Sequence, residues 1–167
     1  MKTAIVYDSL SGNTKELAMA IKDEIDMGEL IYCGSPADDI DADMFIVGSW
    51  TDKGTCSKKI ANFLEGLKNK NIAYFGTSGY GGSTDYFKTI YSRVEQHIDH
   101  SNTMYGYFFC QGKMPMSVRD RYVKMITENP EDSDLKVSIA NFDEALLHPN
   151  EKDIVNVRHW AKGLFED

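Results

Sequence analysis

The chain has 167 residues, 42% of them hydrophobic and 11% aromatic, which suffices for one packed domain and argues against disorder. Its 26 acidic and 18 basic residues give a formal net charge of −8, which disfavours nucleic-acid binding because each phosphate contact requires a local cation. The same charge favours a monomer, because copies of the chain repel one another, and it favours partners with a basic docking surface.

The apolar runs and the cysteines predict a cytoplasmic protein. The longest apolar runs, such as residues 44–48, have the length of a strand, so no membrane span is predicted. Asp8 comes too early for a signal peptide. The three cysteines are Cys33, Cys56 and Cys110. Because they share no C-x-x-C spacing and are odd in number, we expect reduced, structural thiols rather than a disulfide or zinc scaffold.

Short β-rich segments alternate with segments of helical periodicity as far as residue 110. Five strands are predicted, at residues 3–7, 29–33, 44–48, 71–76 and 104–110. Apolar residues at helical spacing predict helices over residues 14–26, 60–67 and 87–98. The middle strands are apolar on both faces, which is typical of a parallel sheet covered by helices on both sides. The sequence therefore predicts a doubly wound α/β fold.

Beyond residue 110 this alternation ends. A helix is predicted over residues 117–126, after the start signal Met114-Pro115-Met116. Residues 127–150 are polar and contain two prolines, which predicts an irregular extension at the surface. Apolar residues at helical spacing then predict a terminal helix, and they are Ile154, Val157, Ala161 and Leu164. We expect residues 1–167 to form a single domain with this extension at about 127–150.

The loop after the first strand has the composition of a phosphate site. It reads Ser9-Leu10-Ser11-Gly12-Asn13-Thr14 and leads directly into a helix. A helix N-terminus has free N–H groups and partial positive charge, so it binds phosphate without Lys or Arg. Gly12 permits a tight turn and close backbone approach. An ordinary N-cap would explain one hydroxyl residue, but four hydroxyl or amide groups within six residues favour phosphate binding.

Two other nucleotide-binding motifs do not fit. A Walker loop needs the pattern G-x-x-x-x-G-K-[ST], and the first loop has only one glycine. The stretch Gly79-Tyr80-Gly81-Gly82-Ser83-Thr84 has Thr84 in place of the third glycine of a dinucleotide fingerprint, and it follows the fourth strand instead of the first. Both motifs are rejected.

The loops after the third and fourth strands each present an aromatic residue among small ones. Residues 48–56 place Trp50 beside Ser49, Thr51 and Gly54, and a large aromatic in such a loop either stacks on a flat ligand or fills the core. Residues 76–84 are glycine-rich. They form either a wall whose backbone a ligand can approach closely or a flexible surface loop that binds no ligand. The candidate binding residues of this third loop are Thr77, Ser78, Gly79, Tyr80 and Gly81.

These three loops resemble those of the flavodoxin family, whose phosphate loop reads approximately [ST]-x-[ST]-G-x-T and whose strand order is 2-1-3-4-5. The resemblance implies that the chain binds FMN. Its 5′-phosphate would then be held by Ser9, Ser11, Asn13 and Thr14 with the Gly12 backbone. Trp50 would lie on one flavin face, Gly54 near flavin N5, and Tyr80, or alternatively Tyr86, on the other face. The extension beyond residue 110 is most similar to that of flavodoxin-like proteins of gut anaerobes.

The resemblance implies an oxidoreductase that shuttles electrons between redox partner proteins at low potential, with no catalytic side chain. The alternative on this fold is an NAD(P)H-dependent FMN or quinone reductase, which would need cations for the second nucleotide. Lys53 is the one cation in the three loops, which favours the carrier. A receiver domain is disfavoured because Gly-Ser-Trp stands where the phosphoacceptor Asp belongs. His97 and His100 are expected at a solvated helix end, so no metal site is predicted.

Overall fold

The computed structural model of the chain describes residues 1–166. The strands within these residues are β1 (Thr3–Asp8), β2 (Leu30–Gly34), β3 (Met44–Asp52), β4 (Thr55–Cys56), β5 (Asn71–Ser78) and β6 (Thr103–Gln111). The helices are α1 (Asn13–Lys22), α2 (Lys58–Glu65), α3 (Thr84–Glu95), α4 (Met116–Glu128), α5 (Ser133–Ala145) and α6 (Glu151–Gly163). None of these helices is long and apolar enough to cross a membrane.

Five parallel strands form one sheet in the order β2-β1-β3-β5-β6. Since β5 and β6 are the fourth and fifth parallel strands along the chain, the predicted order 2-1-3-4-5 is confirmed. In the centre of the sheet Ile5 pairs with Cys33 on one side and with Ile46 on the other. The strand order reverses at β1, so the loops that follow β1 and β3 flank the switch point where such sheets bind ligands.

Helices cover both faces of the sheet because residues of the inner strands alternate between two apolar clusters. On one face Ile5, Ile46 and Phe75 pack beneath α1 and α6. On the other face Val47 and Tyr74 pack beneath α2 and α3. This two-sided burial explains why the middle strands are continuously apolar. The predicted doubly wound arrangement is confirmed.

The segment predicted as a long loop after the third strand is instead a β-hairpin. Strand β3 continues to Asp52, which pairs with Thr55 of the antiparallel strand β4. The two turn residues, Lys53 and Gly54, have φ of 51° and 83°, as a type I′ turn requires. Trp50 therefore stands on a strand. The sequence does not predict this part of β3, because no apolar run continues beyond Gly48.

The prediction of an irregular extension over residues 127–150 is wrong, because helix α5 occupies most of it. The Asp132 side chain caps this helix by accepting the N–H groups of Asp134 and Leu135 at 3.0 and 3.2 Å. Phe142 and Ala145 are fully buried beside Leu135, which is nearly so. These three residues, spaced seven and three apart, form an apolar stripe that the surrounding polar residues obscure in the sequence.

We predict that Lys53→Asn raises the free energy of unfolding by about 1 kcal/mol, because a lysine in the left-handed region is strained and Asn-Gly is the preferred type I′ pair. Urea unfolding followed by circular dichroism measures the change. Lys53→Gln is the control, because it removes the charge but keeps the strain. An equal gain in the Gln variant would contradict the backbone explanation.

Candidate functional site

A cleft of about 350 Å³ lies at the carboxyl edge of the sheet, within the size range of roughly 300–1,000 Å³ typical of small-molecule sites. It joins the loops after β1, β3 and β5, as the sequence predicted. Ten of the predicted cofactor-binding residues line it, namely Leu10, Ser11, Asn13, Trp50, Thr51, Gly54, Thr77, Ser78, Gly79 and Tyr80. The structure thus brings together residues from three loops that are far apart in the chain.

The start of α1 is organised by hydroxyl groups. Gly12 is the N-cap residue, and its φ of 94° lies in the left-handed region that favours glycine. The hydroxyl of Ser9 accepts the N–H groups of Gly12 and Lys15, both at 3.2 Å. The hydroxyl of Thr14 lies 2.9 Å from that of Thr77, in the buried layer beneath the cleft. Ser9, Gly12 and Thr14 therefore shape the loop without lining the cleft, and their contact with a phosphate stays a prediction.

Ser49 and Gly81 also lie outside the cleft lining and have structural contacts. Ser49 is fully buried, and its hydroxyl accepts the N–H of Ser57, the N-cap residue of α2, at 2.9 Å. Gly81 has φ of 100°, and the Tyr86 ring fills the space where a Cβ would lie. These two residues support the walls of the cleft from outside.

Asn13 is the one cleft residue with a buried side chain oxygen that has no partner within residues 1–166. It is 6% exposed, and its Nδ2 donates to the carbonyl of Lys113 at 2.8 Å and to the hydroxyl of Ser11 at 3.1 Å. Its Oδ1 accepts no hydrogen bond. Leaving such an acceptor unpaired costs about 1–3 kcal/mol. The cleft is therefore suited to a ligand that donates an N–H or O–H at this position.

Aromatic residues form two sides of the cleft. The Trp50 indole N–H donates to the Asp8 carboxylate at 3.1 Å, which fixes the ring, and Trp50 belongs to neither apolar cluster. The alternative that Trp50 fills the core is therefore wrong. Tyr80 is 48% exposed and meets Tyr86 edge-to-face, with ring centroids 5.9 Å apart. Both tyrosines line the cleft, so both remain candidates for the second flavin face.

A fourth wall, which the sequence reasoning missed, is formed by residues 112–115 beyond β6. The N–H of Gly112 donates to the Ser78 carbonyl at 3.1 Å, which holds this wall against the third loop. The Met114 side chain lies directly against Gly79, where a Cβ would collide with it. Because β6 is parallel to β1, β3 and β5, the loop that follows it also lies at the ligand-binding edge of the sheet, and this is the signal in the strand pattern that points to it. Lys53 and Tyr86 complete the lining.

The fourth wall is supported from below by His148. The carbonyl of His148 accepts the N–H of Lys113 at 2.9 Å. Its Nδ1 lies 2.6 Å from the Asp153 carboxylate, and Nε2 lies 3.4 Å from Glu144. Burial lowers the pKa of His148, but the hydrogen bond and charge of Asp153, together with Glu144, outweigh it and raise the pKa above its ordinary value. Asn141 of α5 also donates to the Gly79 carbonyl at 3.0 Å.

The other candidate reactive groups are structural. Burial raises the pKa of the Cys56 and Cys110 thiols, which keeps them protonated and unreactive. His97 lies 2.7 Å from the Glu65 carboxylate. Residues 1–166 contain no group of three or more His, Cys, Asp or Glu side chains that could hold a metal ion.

Comparison with known proteins places the chain in a family. Residues 4–162 match the flavodoxin domain. The flavodoxin-like domain-containing protein BilS of Clostridioides difficile is 34% identical over 98% of this chain and 96% of the relative. A flavodoxin of Streptococcus pneumonia TIGR4 superposes with a TM-score of 0.56 at 16% identity, over 98% of this chain and 97% of that one. A flavoprotein of Lactobacillus acidophilus in complex with FMN gives 0.51 at 23%, over 72% and 97%. The chain belongs to the flavodoxin family.

FMN is the cofactor that this membership implies, and the cleft residues fit it. The start of α1 offers N–H and hydroxyl donors to a phosphate. The unpaired Oδ1 of Asn13 can accept a hydrogen bond from a hydroxyl such as those of the ribityl chain. Trp50 and the two tyrosines offer rings to a flat heterocycle. Family membership also excludes the receiver-domain alternative.

We predict that His148 contributes stability at low pH. Because its pKa is raised in the folded protein, this contribution is complete below about pH 6.5, the ordinary pKa of histidine, and is lost as pH rises through the raised value. The difference in free energy of unfolding between the wild type and His148→Gln should therefore shrink from acid to alkaline pH. His159→Gln, which changes an exposed histidine of α6, is the control. A difference that grows with pH would refute the assignment.

Proposed function

We propose that this protein binds FMN in the cleft and carries electrons between redox proteins. The observation that supports it best is the cleft itself. It lies at the reversal of strand order, where the hydroxyl-rich start of α1 meets Trp50 and Tyr80. When bound, FMN supplies one- and two-electron redox chemistry.

The chain's residues would bind and orient this cofactor. Ser11 and the N–H groups at the start of α1 would bind the phosphate. Asn13, which the sequence assigned to the phosphate, would instead accept a hydrogen bond from the sugar chain, because its Nδ2 already donates to Ser11 and to Lys113. The Trp50 indole, held by Asp8, would stack on one face of the flavin ring system at the end of β3. Met114 and Pro115 of the fourth wall would exclude water from one side of the cleft.

An electron carrier requires no general acid, general base or nucleophile from the protein. The charged side chains that line the cleft within residues 1–166 are Lys53 and Lys113. The reaction would therefore rest on the cofactor and on access to it.

An NAD(P)H-dependent reductase remains the second candidate, because the structure places a second cation at the cleft. The sequence argument against it relied on Lys53 as the one cation in three loops. Lys113 of the fourth wall adds a second positive charge that could attract a nucleotide phosphate. This possibility has less support than the carrier because Lys113 stands on an exposed loop with no arginine among the lining residues.

One set of measurements separates these functions. The purified protein should show the visible absorption bands of flavin, release FMN on denaturation, and lose these bands on photoreduction. It should oxidise neither NADH nor NADPH when a quinone is present without an added reductase. A colourless protein that takes up no FMN in titration would refute FMN binding. Steady NAD(P)H oxidation would instead establish the reductase.

We predict that Ser11→Ala weakens FMN binding by about 1–3 kcal/mol, because it removes a hydrogen bond to a charged phosphate. Riboflavin, which lacks the phosphate, should keep its affinity. Fluorescence titration of the apoprotein with both ligands measures the two constants. Ser92→Ala, on the exposed surface of α3, is the control variant. Equal losses for FMN and riboflavin would show that the phosphate lies elsewhere.

The low potential, the monomeric state, the single domain and the cytoplasmic location remain predictions. The proposed partners are redox proteins. The basic docking surface expected of these partners follows from the net charge of −8 and stays a prediction.

A further inference from the structure

The turn between α5 and α6, residues 146–150, is bonded to the fourth wall of the cleft through one histidine. The N–H of His148 donates to the carbonyl of Ala145, the last residue of α5, at 3.0 Å. The carbonyl of His148 accepts the N–H of Lys113 at 2.9 Å. The backbone of this residue therefore joins the end of α5 to the fourth wall.

From Lys113 the hydrogen bonds continue to the first loop of the cleft. The Lys113 carbonyl accepts Nδ2 of Asn13 at 2.8 Å and the Ser11 hydroxyl at 3.5 Å. Asn13 is the cleft residue whose buried Oδ1 has no partner within residues 1–166. Two hydrogen bonds, through Lys113, thus link His148 to the side chain that offers this acceptor to a ligand.

A second path leads from the same turn to the third loop through α5. Asn141 precedes Glu144 by three residues on this helix. Its Nδ2 donates to the Gly79 carbonyl at 3.0 Å, and its Oδ1 accepts Nε2 of Gln111 at 3.2 Å. The position of α5 therefore affects the third loop, so a contact that fixes the end of α5 acts on two walls of the cleft.

The His148 ring lies between carboxylates of two different helices. Its Nδ1 is 2.6 Å from Oδ2 of Asp153, and its Nε2 is 3.4 Å from Oε1 of Glu144. Asp153 is held in place, because the same Oδ2 accepts the N–H of Asn150 at 2.8 Å in the capping box of α6. Glu144 belongs to α5 and its side chain is 61% exposed. The ring thus bridges the start of α6 and the end of α5.

The strength of this bridge depends on the charge of the ring. In the charged form both ring nitrogens donate, so each carboxylate accepts a charge-assisted hydrogen bond. In the neutral form only one nitrogen donates. If the closer carboxylate, Asp153, keeps that donor, the lone pair of Nε2 faces the Glu144 carboxylate. Loss of the charge therefore weakens the link between the turn and α5.

The charged groups around the ring leave His148 as the group that titrates near neutral pH. The charges that act on it are those of Asp153 and Glu144, and its pKa is raised. On the side of β6, burial raises the pKa of the Cys110 thiol, which therefore stays neutral, and the charges of Asp153 and Glu16 act in the same direction. Lys113 contacts His148 through its backbone. The other charged residues of the adjoining helix ends are exposed, and they are Asp143, Glu151 and Lys152.

We propose that His148 is a positioning residue of the cofactor site, and that its charged form holds the cleft walls in an arrangement that binds FMN more tightly than its neutral form does. This inference rests on the proposed binding of FMN. His148, Glu144 and Asp153 lie outside the cleft lining, so the effect is transmitted through Lys113 and Asn141. This contribution to affinity is complete below about pH 6.5 and is lost as pH rises through the raised pKa of His148.

Paired titrations isolate this effect. Apoprotein of the wild type and of His148→Gln is titrated with FMN, and fluorescence gives Kd on both sides of neutral pH. The phosphate of FMN itself titrates at about pH 6 in both cases, so the ratio of the two Kd values is the informative quantity. We expect His148→Gln to bind about fivefold more weakly at acid pH, the lower end of the coupling between linked sites. At alkaline pH the two proteins should bind equally.

A second variant keeps the histidine. Glu144→Gln removes a negative charge beside the ring, which disfavours its charged form, so the fall in affinity should move to lower pH. Glu151→Gln is the matched control. It removes one exposed carboxylate from the first turn of α6, whereas the carboxylates that contact the ring are Asp153 and Glu144. The pH profile of this control should follow that of the wild type.

Reciprocity provides an independent measurement on the wild type. If FMN prefers the charged form of His148, FMN binding must raise the pKa of His148 by the logarithm of the same factor. The NMR signals of the histidine rings, assigned by substitution, give this pKa with and without FMN.

The outcomes are distinguishable. A Kd ratio that does not change with pH, or a His148 pKa that FMN leaves unchanged, would refute the coupling and show that His148 stabilises only the junction of α5 and α6. If His148→Gln does not fold, the pH profile of Glu144→Gln and the pKa of the wild type decide in the same way. A chain that binds no FMN at any pH would refute the proposed function itself.

Discussion

In a parallel sheet the carboxyl ends of the strands lie at one edge. The N-termini of the helices that follow these strands lie at the same edge. This constraint accounts for the cleft, because loops after β1, β3, β5 and β6 can only meet there. It also makes that edge electrically positive before any side chain is counted, since helix N-termini carry partial positive charge. The phosphate-type loop at the start of α1 therefore lies in a field that the backbone has already set up.

Asn13 connects the first loop of the cleft with the fourth wall. Its amide donates to the carbonyl of Lys113, a residue 100 positions away, and to Ser11 in its own loop. Gly112 is required at this approach, since a Cβ there would collide with the Asn13 side chain. The first loop and the fourth wall thus hold each other. An asparagine that looks like part of a phosphate motif is also a structural link.

The sequence predicts the parts of this molecule that depend on local pattern. Strand alternation and the stretch Ser9–Thr14 lead to the fold and to the position of the cleft, because both are short-range signals. The sequence predicts Trp50 in a loop, whereas it stands on a hairpin, since a type I′ turn with lysine at its first position is unusual. Helix α5 is missed because only three of its residues are buried, and the polar residues between them hide the helical spacing of this apolar stripe.

The cleft is assembled from four segments that span the chain from Leu10 to Pro115. Any ligand that touches all four fastens distant parts of the chain to one another, and the stability it adds to the folded state grows with the logarithm of its concentration above Kd. The loops it holds are also the segments most prone to local opening. The resistance of such a protein to proteases would therefore depend on its supply of cofactor, and the rate of proteolysis would report the fraction of molecules that hold the cofactor.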